Sequence, residues 1–532
     1  MDKILKEHPG TNVDLDRKVL IEASVQKKKA FIAKNGALAT WTRPESTGRS
    51  PKDTYVVRNP ESEKNIDWDS PNNIPLDPEI FNEVWDFARN VLSEKEELYV
   101  SQRVIGADPK YALQVRTVSD NPLTILFTDN MFRPATDPDK SVFKETRFEL
   151  IVLPDDKLPE SVYKGKLRSD MVIAMDFDTK RGVVYGSAYM GSVKKLMFTV
   201  MNYLLPEVGV LPLHCSANEG KDGTSAAFLG LSGTGKTTLS GDKNRALLGD
   251  DEHGWCDNGI FNFENGCYAK MIDINPEKEP EIYNAVMHED DYLNHGSIVE
   301  NALMYPDGRF DFYDDRLTQN SRASYPLKFL ENIKESSTST HPKTVIFLTA
   351  DANGVIPPVA KLSTKHAMFW YLMGYTSKLA GTETGITEPK SVFSRFFGEP
   401  FMPRNPDHYA KMFGQYIEKY NTEVYLINTG WTGGPYGVGK RFDINVTRSI
   451  VNAALSGQLK DVDTMEDKYF KLLIPLKCPG VPDDLLDPEN TWKDKKEFAE
   501  RAAKLASEFA AHFDRAYKGK VDPSLEQVCP GK

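Results

Sequence analysis

The feature that most constrains the fold is a glycine-rich stretch near the middle of the chain, GLSGTGKTT (230–238). It fits the pattern G-x-x-x-x-G-K-[ST] at every fixed position. The apolar run SAAFL precedes it and KTTLS continues from it, so we predict a strand, a phosphate-binding loop and the start of a helix. The predicted nucleotide-binding residues of the loop are Gly230, Leu231, Ser232, Gly233, Thr234, Gly235, Lys236, Thr237 and Thr238.

Glycines let consecutive backbone N–H groups turn toward phosphate oxygens, and the N-terminus of the following helix adds to the attraction. Lys236 would reach the β- and γ-phosphates, and the Thr237 hydroxyl would hold a magnesium ion. Asp250 and Asp251 follow the apolar run RALLG (245–249), where a second metal-binding acid is expected. Adjacent carboxylates repel each other, and a dication removes that repulsion. An ordinary acidic loop is the alternative.

Length and charge limit the classes of protein that fit. A chain of 532 residues exceeds one hydrophobic core, so we predict two domains. The net charge of −11 disfavours nucleic acids and anionic membranes as partners. The sequence contains no run of 18 apolar residues, so we predict no membrane span. Five scattered cysteines indicate reduced thiols, and we expect a cytoplasmic protein. A site for anions must then gather lysines and arginines locally.

Apolar spacing predicts two helices and several buried strands. Residues 79–97 carry apolar side chains at helical spacing, and a second stripe runs from Phe498 to Phe513. Strands are predicted at SAAFL (225–229), RALLG (245–249), TVIFLTA (344–350) and EVYLINTG (423–430). The fold class is therefore mixed, α/β or α+β. TGRSPKD (47–53), GDDEHGW (249–255) and TGWTGGPYGVGKR (429–441) are interpreted as ligand-binding loops.

Further blocks make a family recognisable: TGRSPKDTYVV (47–57), GSAYMGSVKK (186–195), LHCSAN (213–218), FNFENGCYAK (261–270), SRASYP (321–326), FLTADANGVIPP (347–358) and LAGTETGITEP (379–389). With the phosphate-binding loop, these blocks span most of the chain in order. The sequence resembles the ATP-dependent phosphoenolpyruvate carboxykinases.

The resemblance implies a two-domain carboxykinase fold. An N-terminal substrate-binding domain, residues 1–209, and a C-terminal mononucleotide-binding domain, residues 210–532, would flank the active site in the cleft between them. The implied reaction converts oxaloacetate and ATP into phosphoenolpyruvate, carbon dioxide and ADP through a metal-stabilised enolate. Mg²⁺ would accompany ATP, and Mn²⁺ would occupy a site on the protein. We expect a monomer, and the stretch 381–388 is a candidate lid.

Roles follow from the resemblance where the blocks match. Arg49 and Tyr189 resemble the substrate-binding residues of the family. Lys195, His214 and Asp251 resemble the ligands of its transition-metal site. Thr237 would bind the magnesium ion that accompanies the nucleotide. The predicted catalytic residues are Lys194, Lys195, Lys236, Asp250 and Arg322. Lys195 and Arg322 would also contact substrate. The predicted nucleotide contacts beyond the loop are Lys195, His214, Glu279, Arg322, Arg441, Phe442 and Thr447. The last three correspond to the adenine and ribose end of the site. Lys270 would have a supporting role.

Two positions depart from the family pattern, because Ser192 replaces a usual glutamate and Asn353 a common aromatic residue. Two other functions also fit the phosphate-binding loop. One is a kinase of another acceptor, such as the HPr kinase group, and the other is a nucleotide-binding regulator without activity. The kinase does not explain the blocks around Arg49, Lys195 and His214. The regulator is disfavoured because Lys236, Thr237, Asp251 and Arg322 are all intact.

Overall fold

The computed structural model describes residues 1–135, 147–378 and 390–532, which fold into two compact units. Unit 1 comprises Met1–Val210 and Phe261–Ser337, and unit 2 comprises Leu211–Ile260 and Thr338–Lys532. The chain first leaves unit 1 after Val210, and residues 261–337 return to it. The predicted assignment of substrate binding to residues 1–209 and of nucleotide binding to 210–532 stays a prediction. The predicted lid and the block 379–389 lie outside the described residues.

Unit 1 contains two larger sheets. Within the described residues the first has nine strands, with Arg133–Pro134 paired beside Leu98–Ile105 and the others in the order Thr11–Val13, Leu98–Ile105, Leu113–Ser119, Phe148–Leu153, Arg181–Tyr185, Val172–Asp176, Thr54–Val57 and Ile74–Leu76. The second runs Gly266–Lys270, Arg322–Pro326, Ile298–Glu300, Leu38–Thr40 and Phe31–Ile32. A short hairpin joins Leu303–Met304 and Phe310–Asp311.

The predicted helix at 79–97 is confirmed as Pro78–Glu94. Asp77 caps it, since its carboxylate accepts a hydrogen bond from the Glu79 N–H. The apolar stripe is buried against the large sheet of unit 1, and its fully buried members are Phe81, Val84, Ala88 and Leu92. The other α-helices of the described part of unit 1 are Asp2–Glu7, Arg17–Gln26, Pro122–Met131, Glu160–Tyr163, Gly191–Leu204, Pro280–Met287 and Tyr292–His295.

Unit 2 is built on a sheet of eleven strands among the described residues. Arg245–Gly249 pairs with Leu211–Gly220, and the other strands run Thr338–Ser339, Gly259–Asn262, Glu252–Cys256, Leu211–Gly220, Ser225–Gly230, Pro342–Thr349, Glu423–Asn428, Val359–Leu362, Leu473–Pro475 and Thr464–Glu466. Two further antiparallel pairs join Tyr375–Lys378 with Lys390–Phe393 and Trp431–Thr432 with Lys440–Arg441. The four strands predicted from apolar runs are all present. The interpretation of GDDEHGW as a loop is wrong beyond its first residues, because Glu252–Cys256 is a strand.

Apolar side chains cover both faces of this sheet. On the strand Ser225–Gly230, Ala227 and Leu229 pack into one core, while Ala226 and Phe228 pack into another on the opposite face. A strand covered on both faces carries a continuous apolar run instead of an alternating one. This explains why SAAFL and TVIFLTA lack the alternation of a half-exposed strand.

The second predicted apolar stripe is confirmed as the helix Lys495–Ala516. It buries Phe498, Leu505, Phe509 and Phe513 in one core of unit 2. The remaining α-helices of the described part of unit 2 are Lys236–Ser240, Thr364–Met373, Pro406–Lys419, Ile444–Leu455, Asp483–Leu486 and Pro488–Thr491. In the part of the chain that the structure describes, no helix combines the length and the apolar character that crossing a bilayer requires.

Candidate active site

The predicted phosphate-binding loop connects a buried strand to a short helix. The strand Ser225–Gly230 ends at its first glycine, and the helix Lys236–Ser240 begins at its lysine. Gly233 and Gly235 have φ angles of 85° and 91°, which residues with a Cβ rarely adopt. A Cβ on Gly230 would lie 2.5 Å from the Thr234 hydroxyl. The three glycines therefore allow a backbone path that other residues would disrupt.

Neighbouring segments of unit 2 hold this loop in place. The Thr429 hydroxyl donates a hydrogen bond to the Thr234 carbonyl (2.9 Å). Arg441 donates from Nη2 to the Gly233 carbonyl (3.0 Å) and from Nε to the Thr429 carbonyl (2.9 Å). The loop is therefore tied to the Gly-rich segment 429–441, which the sequence indicates as a ligand loop. Arg441, a predicted nucleotide contact, binds the loop itself in this structure.

Lys236, Asp251 and His214 form one cluster beside the loop. Asp251 Oδ1 accepts from Lys236 Nζ at 3.0 Å and lies 2.9 Å from His214 Nε2. The strand register explains the meeting, because His214 pairs with Glu252, the residue after Asp251. The neighbouring Asp250 accepts a hydrogen bond from the Ser216 hydroxyl on its backbone carbonyl. Two predicted metal ligands and the lysine predicted to bind phosphate thus lie in one hydrogen-bonded cluster.

The backbone around Phe397 orients the His214 ring. His214 Nδ1 contacts the carbonyl oxygen of Phe397, and since a carbonyl can only accept, Nδ1 carries the proton. Phe396 and Phe397 both have positive φ, 61° and 56°, a strained conformation for large side chains. A Cβ on Gly398 would approach His214 Cβ to 3.0 Å, so the ring packs closely on this segment.

This arrangement suits a divalent cation. With Nδ1 protonated, a neutral His214 ring directs the lone pair of Nε2 at an oxygen of Asp251. Two acceptors at 2.9 Å require either a second proton on the ring or a cation that binds both. A carbonyl that fixes the tautomer of a ligating histidine is a regular feature of metal sites. An imidazole nitrogen and a carboxylate oxygen together fit a divalent metal ion.

The residues predicted for the adenine and ribose end lie near the start of the helix Ile444–Leu455. The Phe442 N–H donates to the Gly430 carbonyl (2.8 Å), and Phe442 is buried. The Thr447 hydroxyl donates to the Asp443 carbonyl (3.3 Å) within the first turn of this helix. Thr447 is buried, and its hydroxyl satisfies the backbone in this structure. Its contact with a nucleotide stays a prediction.

In unit 1, Arg49, Tyr189 and Arg322 form a second group. Desolvation, then the charge of Arg322, lowers the pKa of Arg49, while Tyr189 acts in the opposite sense. Arg322 lies 5.8 Å from the ring centroid of Tyr268 and pairs with Lys270 across the sheet. Desolvation and Arg322 also lower the pKa of Lys270. Unit 1 therefore gathers cations in one place, as the acidic composition requires of an anion site.

The start of the helix Gly191–Leu204 positions Tyr189 and two lysines. A Cβ on Gly191 would lie 2.4 Å from the Tyr189 ring, so only glycine permits this packing. Buried Lys194 forms an ion pair with Glu264 at 2.9 Å. Lys195 Nζ lies 4.9 Å from the ring centroid of Phe198. The departure at Ser192 is accommodated locally, since its hydroxyl pairs with that of Ser187 at 2.9 Å.

Several residues that support these groups were not predicted. Glu300 is fully buried, accepts from the Met190 N–H (3.1 Å) and from the Tyr268 hydroxyl, and pairs with Arg322 in the strand register. Asn320 contacts both Arg322 and the segment before Arg49. The block FNFENGCYAK, quoted for the resemblance, already contained Glu264 and Tyr268. No sequence motif marks Glu300.

The predicted residues divide between the units. Unit 1 contains Arg49, Tyr189, Lys194, Lys195, Lys270, Glu279 and Arg322, and unit 2 contains His214, residues 230–238, Asp250, Asp251, Arg441, Phe442 and Thr447. The predicted metal ligands thus come from both units. Glu279 lies at the N-terminal end of the helix Pro280–Met287, and burial raises the pKa of its carboxyl.

Comparison with known proteins agrees with the motifs. The sequence pattern of the family described as phosphoenolpyruvate carboxykinase matches residues 11–484. The chain is 45% identical over 527 residues to phosphoenolpyruvate carboxykinase (ATP) of Geobacillus kaustophilus (strain HTA426), covering 99% of this chain and 97% of that protein. The chain belongs to the ATP-dependent phosphoenolpyruvate carboxykinase family.

A second relative shows the same extent of similarity. Phosphoenolpyruvate carboxykinase (ATP) of Thermus thermophilus is 46% identical over 507 residues, with 94% of this chain and 93% of that protein covered. The mixed α/β fold agrees with membership of this family. The chain is therefore a carboxy-lyase that binds ATP, and the family uses divalent metal ions. A kinase of another acceptor is not favoured.

Proposed function

We propose that this chain converts oxaloacetate and ATP reversibly into phosphoenolpyruvate, carbon dioxide and ADP. The observation that carries the proposal is the shared oxygen of Asp251. It lies 3.0 Å from Lys236 Nζ in the phosphate-binding loop and 2.9 Å from His214 Nε2. One carboxylate therefore links a nucleotide phosphate site to a candidate metal site, as phosphoryl transfer to a metal-bound acceptor requires.

The proposed metal site uses His214 and Asp251 with Lys195, and the Thr237 hydroxyl serves the ion that accompanies the nucleotide. We assign Mn²⁺ to the protein site and Mg²⁺ to ATP, because nitrogen donors favour a transition metal and phosphate oxygens favour magnesium. A divalent ion bound there would act as a Lewis acid toward negative charge on the substrate oxygen.

The proposed roles of the side chains follow from their charge. Arg49 binds a substrate carboxylate through its planar guanidinium, and Tyr189 packs beside the substrate. Loss of carbon dioxide leaves an enolate oxygen, which attacks the γ-phosphorus in line. The bond from that phosphorus to the β–γ bridging oxygen breaks, and ADP leaves. Lys194, Lys236 and Arg322 offset the negative charge on the transferring group. Asp250 and Lys195 are assigned with them to the catalytic set.

We assign the nucleotide to unit 2. The loop 230–238 would surround its phosphates, with Arg441, Phe442 and Thr447 toward its base and ribose, while Glu279 and Arg322 are contributed by unit 1. A cytoplasmic location and a monomeric state are also proposals. The absence of a covalent nucleophile from the scheme is consistent with direct in-line transfer.

A coupled assay tests the proposal. Purified protein is given oxaloacetate with ATP or GTP, in the presence of Mn²⁺, Mg²⁺ or both, and phosphoenolpyruvate is measured. We expect product with ATP and a divalent ion, and none after chelation. Failure to form phosphoenolpyruvate with either nucleotide would reject the assignment. The variant Lys236→Met tests the lysine of the loop in the same assay. Its matched control is Lys243→Met, which removes an exposed lysine close to the loop in sequence.

A further inference from the structure

The side chain of Asn320 joins two segments of unit 1 that carry arginines. Its Oδ1 accepts a hydrogen bond from Arg322 Nε at 3.0 Å, and its Nδ2 donates to the Thr47 carbonyl at 3.0 Å. Arg322 Nε can only donate and a carbonyl oxygen can only accept, so the two contacts fix the orientation of the amide. Asn320 also adjoins Gly48, whose Cβ position lies 3.4 Å from Nδ2.

The contact with Arg322 orients a cation without neutralising it. A carboxylate in place of the amide would form an ion pair with the guanidinium and reduce its attraction for an anionic ligand. Among the described residues, the Arg322 guanidinium makes one hydrogen bond with protein, and its acceptor is Asn320. The guanidinium therefore keeps its positive charge, and its remaining N–H groups can donate hydrogen bonds to a ligand.

The contact with Thr47 acts on the segment that carries Arg49. Thr47 and Gly48 directly precede Arg49, and the Asn320 amide fixes the backbone carbonyl two residues before it. Arg49 and Arg322 already affect each other electrostatically, since Arg322 contributes to the lowered pKa of Arg49. Two like charges repel each other, and a side chain that bonds to both segments opposes their separation.

We infer that Asn320 is a positioning residue that holds Arg49 and Arg322 together for one small, multiply charged anionic substrate. This inference rests on the proposed function, in which the same two arginines bind oxaloacetate and phosphoenolpyruvate. It adds a residue that touches neither the reacting atoms nor the metal. The neutrality of the amide is essential to the role, so an isosteric acid is the most informative replacement.

Asn320→Asp tests the inference. The new carboxylate pairs with Arg322 and faces the Thr47 carbonyl without a donor, so both functions of the amide are lost. We expect the Kd for phosphoenolpyruvate, measured by calorimetry, to rise about tenfold or more, because a charge-assisted anion contact is weakened. The Kd for ADP should stay within about twofold, since ADP lacks the γ-phosphate that Arg322 would contact.

Controls separate positioning from a general structural effect. Gln319→Glu adds the same charge one residue away, on an exposed side chain that bonds to Asp315, and should leave both affinities unchanged. Asn320→Ala removes both bonds without adding charge, and should weaken phosphoenolpyruvate binding less than Asn320→Asp does. It also serves as the test if the aspartate variant fails to fold.

Equal loss of affinity for phosphoenolpyruvate and ADP, or none for either, would overturn the inference. The proposed function is judged separately on the wild-type protein. If the wild type makes no phosphoenolpyruvate, the proposed function fails. If the wild type is active and the variants at position 320 bind phosphoenolpyruvate as it does, the positioning role fails alone.

Discussion

Glu300 makes the stability of unit 1 depend on pH. Its carboxyl is fully buried and accepts hydrogen bonds from the Met190 N–H and the Tyr268 hydroxyl. Among the described residues, no cation forms an ion pair with it. Burial, opposed in part by these hydrogen bonds and by Arg322, raises the pKa of Glu300 from 4.5 to about 7. One pKa unit corresponds to about 1.4 kcal/mol, so the ionised form costs the folded state about 3 kcal/mol.

The direction follows from proton linkage. Between pH 4.5 and 7 the folded state binds the proton more tightly than the unfolded state, so the free energy of unfolding falls as pH rises. Below pH 4.5 the carboxyl is neutral in both states and the cost is absent. Glu300→Gln keeps the shape and stays neutral, so the variant should match the wild type at pH 4.5 and exceed it above pH 7.

Thermal unfolding at a series of pH values provides the assay. For a domain of this size, 1 kcal/mol corresponds to about 2 °C in Tm, so the variant should unfold roughly 6 °C higher at pH 8. Glu289→Gln, on an exposed side chain, is the matched control and should show no pH-dependent gain. Parallel Tm curves for Glu300→Gln and the wild type across this range would refute the reasoning.

Three further outcomes are expected. Lys236→Met should lower turnover at least ~10²-fold in the coupled assay with Tm unchanged, because it removes charge stabilisation of the transferring phosphoryl group; near-normal turnover would contradict its assignment. Gly230→Ala should weaken ATP binding in calorimetry, since its Cβ would lie 2.5 Å from the Thr234 hydroxyl and 2.9 Å from Leu348 Cβ, and an unchanged Kd would show that the loop adapts. Phe509→Ala should cost about 3–5 kcal/mol in denaturant unfolding because the ring is fully buried, and a loss below ~1 kcal/mol would contradict tight packing there.

Local patterns in the sequence predict much of the fold. The strand, loop and helix around residues 230–238, and the helices at 78–94 and 495–516, follow from apolar spacing and turn chemistry. The sequence does not indicate the strand Glu252–Cys256, because two of its five residues, Glu252 and Gly254, belong to types that are depleted in strands. Pairing with Leu211–His214 in the sheet overrides that preference.

The sequence indicates the charged residues of the candidate site, but it does not indicate the residues that hold them in position. Motifs and resemblance indicate Lys236, His214 and Arg322 as candidates, because each lies in a recognisable block of the sequence. Asn320 and Glu300 act through contacts with residues that are distant in sequence, and their side-chain types are common on any surface. The carbonyl of Phe397 that orients His214 depends on an unusual backbone conformation, which phenylalanine does not indicate.

The order of segments along the chain has a consequence for synthesis on the ribosome. The buried strand Ser225–Gly230 pairs in parallel with Pro342–Thr349, which emerges about 120 residues later. At ~5–20 residues per second, that interval lasts on the order of 10 s. The residues made during this time include 261–337, which belong to unit 1. Until Pro342–Thr349 is made, the apolar strand Ser225–Gly230 lacks its parallel partner. The nascent chain should therefore depend on chaperones most strongly while it is between about 260 and 350 residues long.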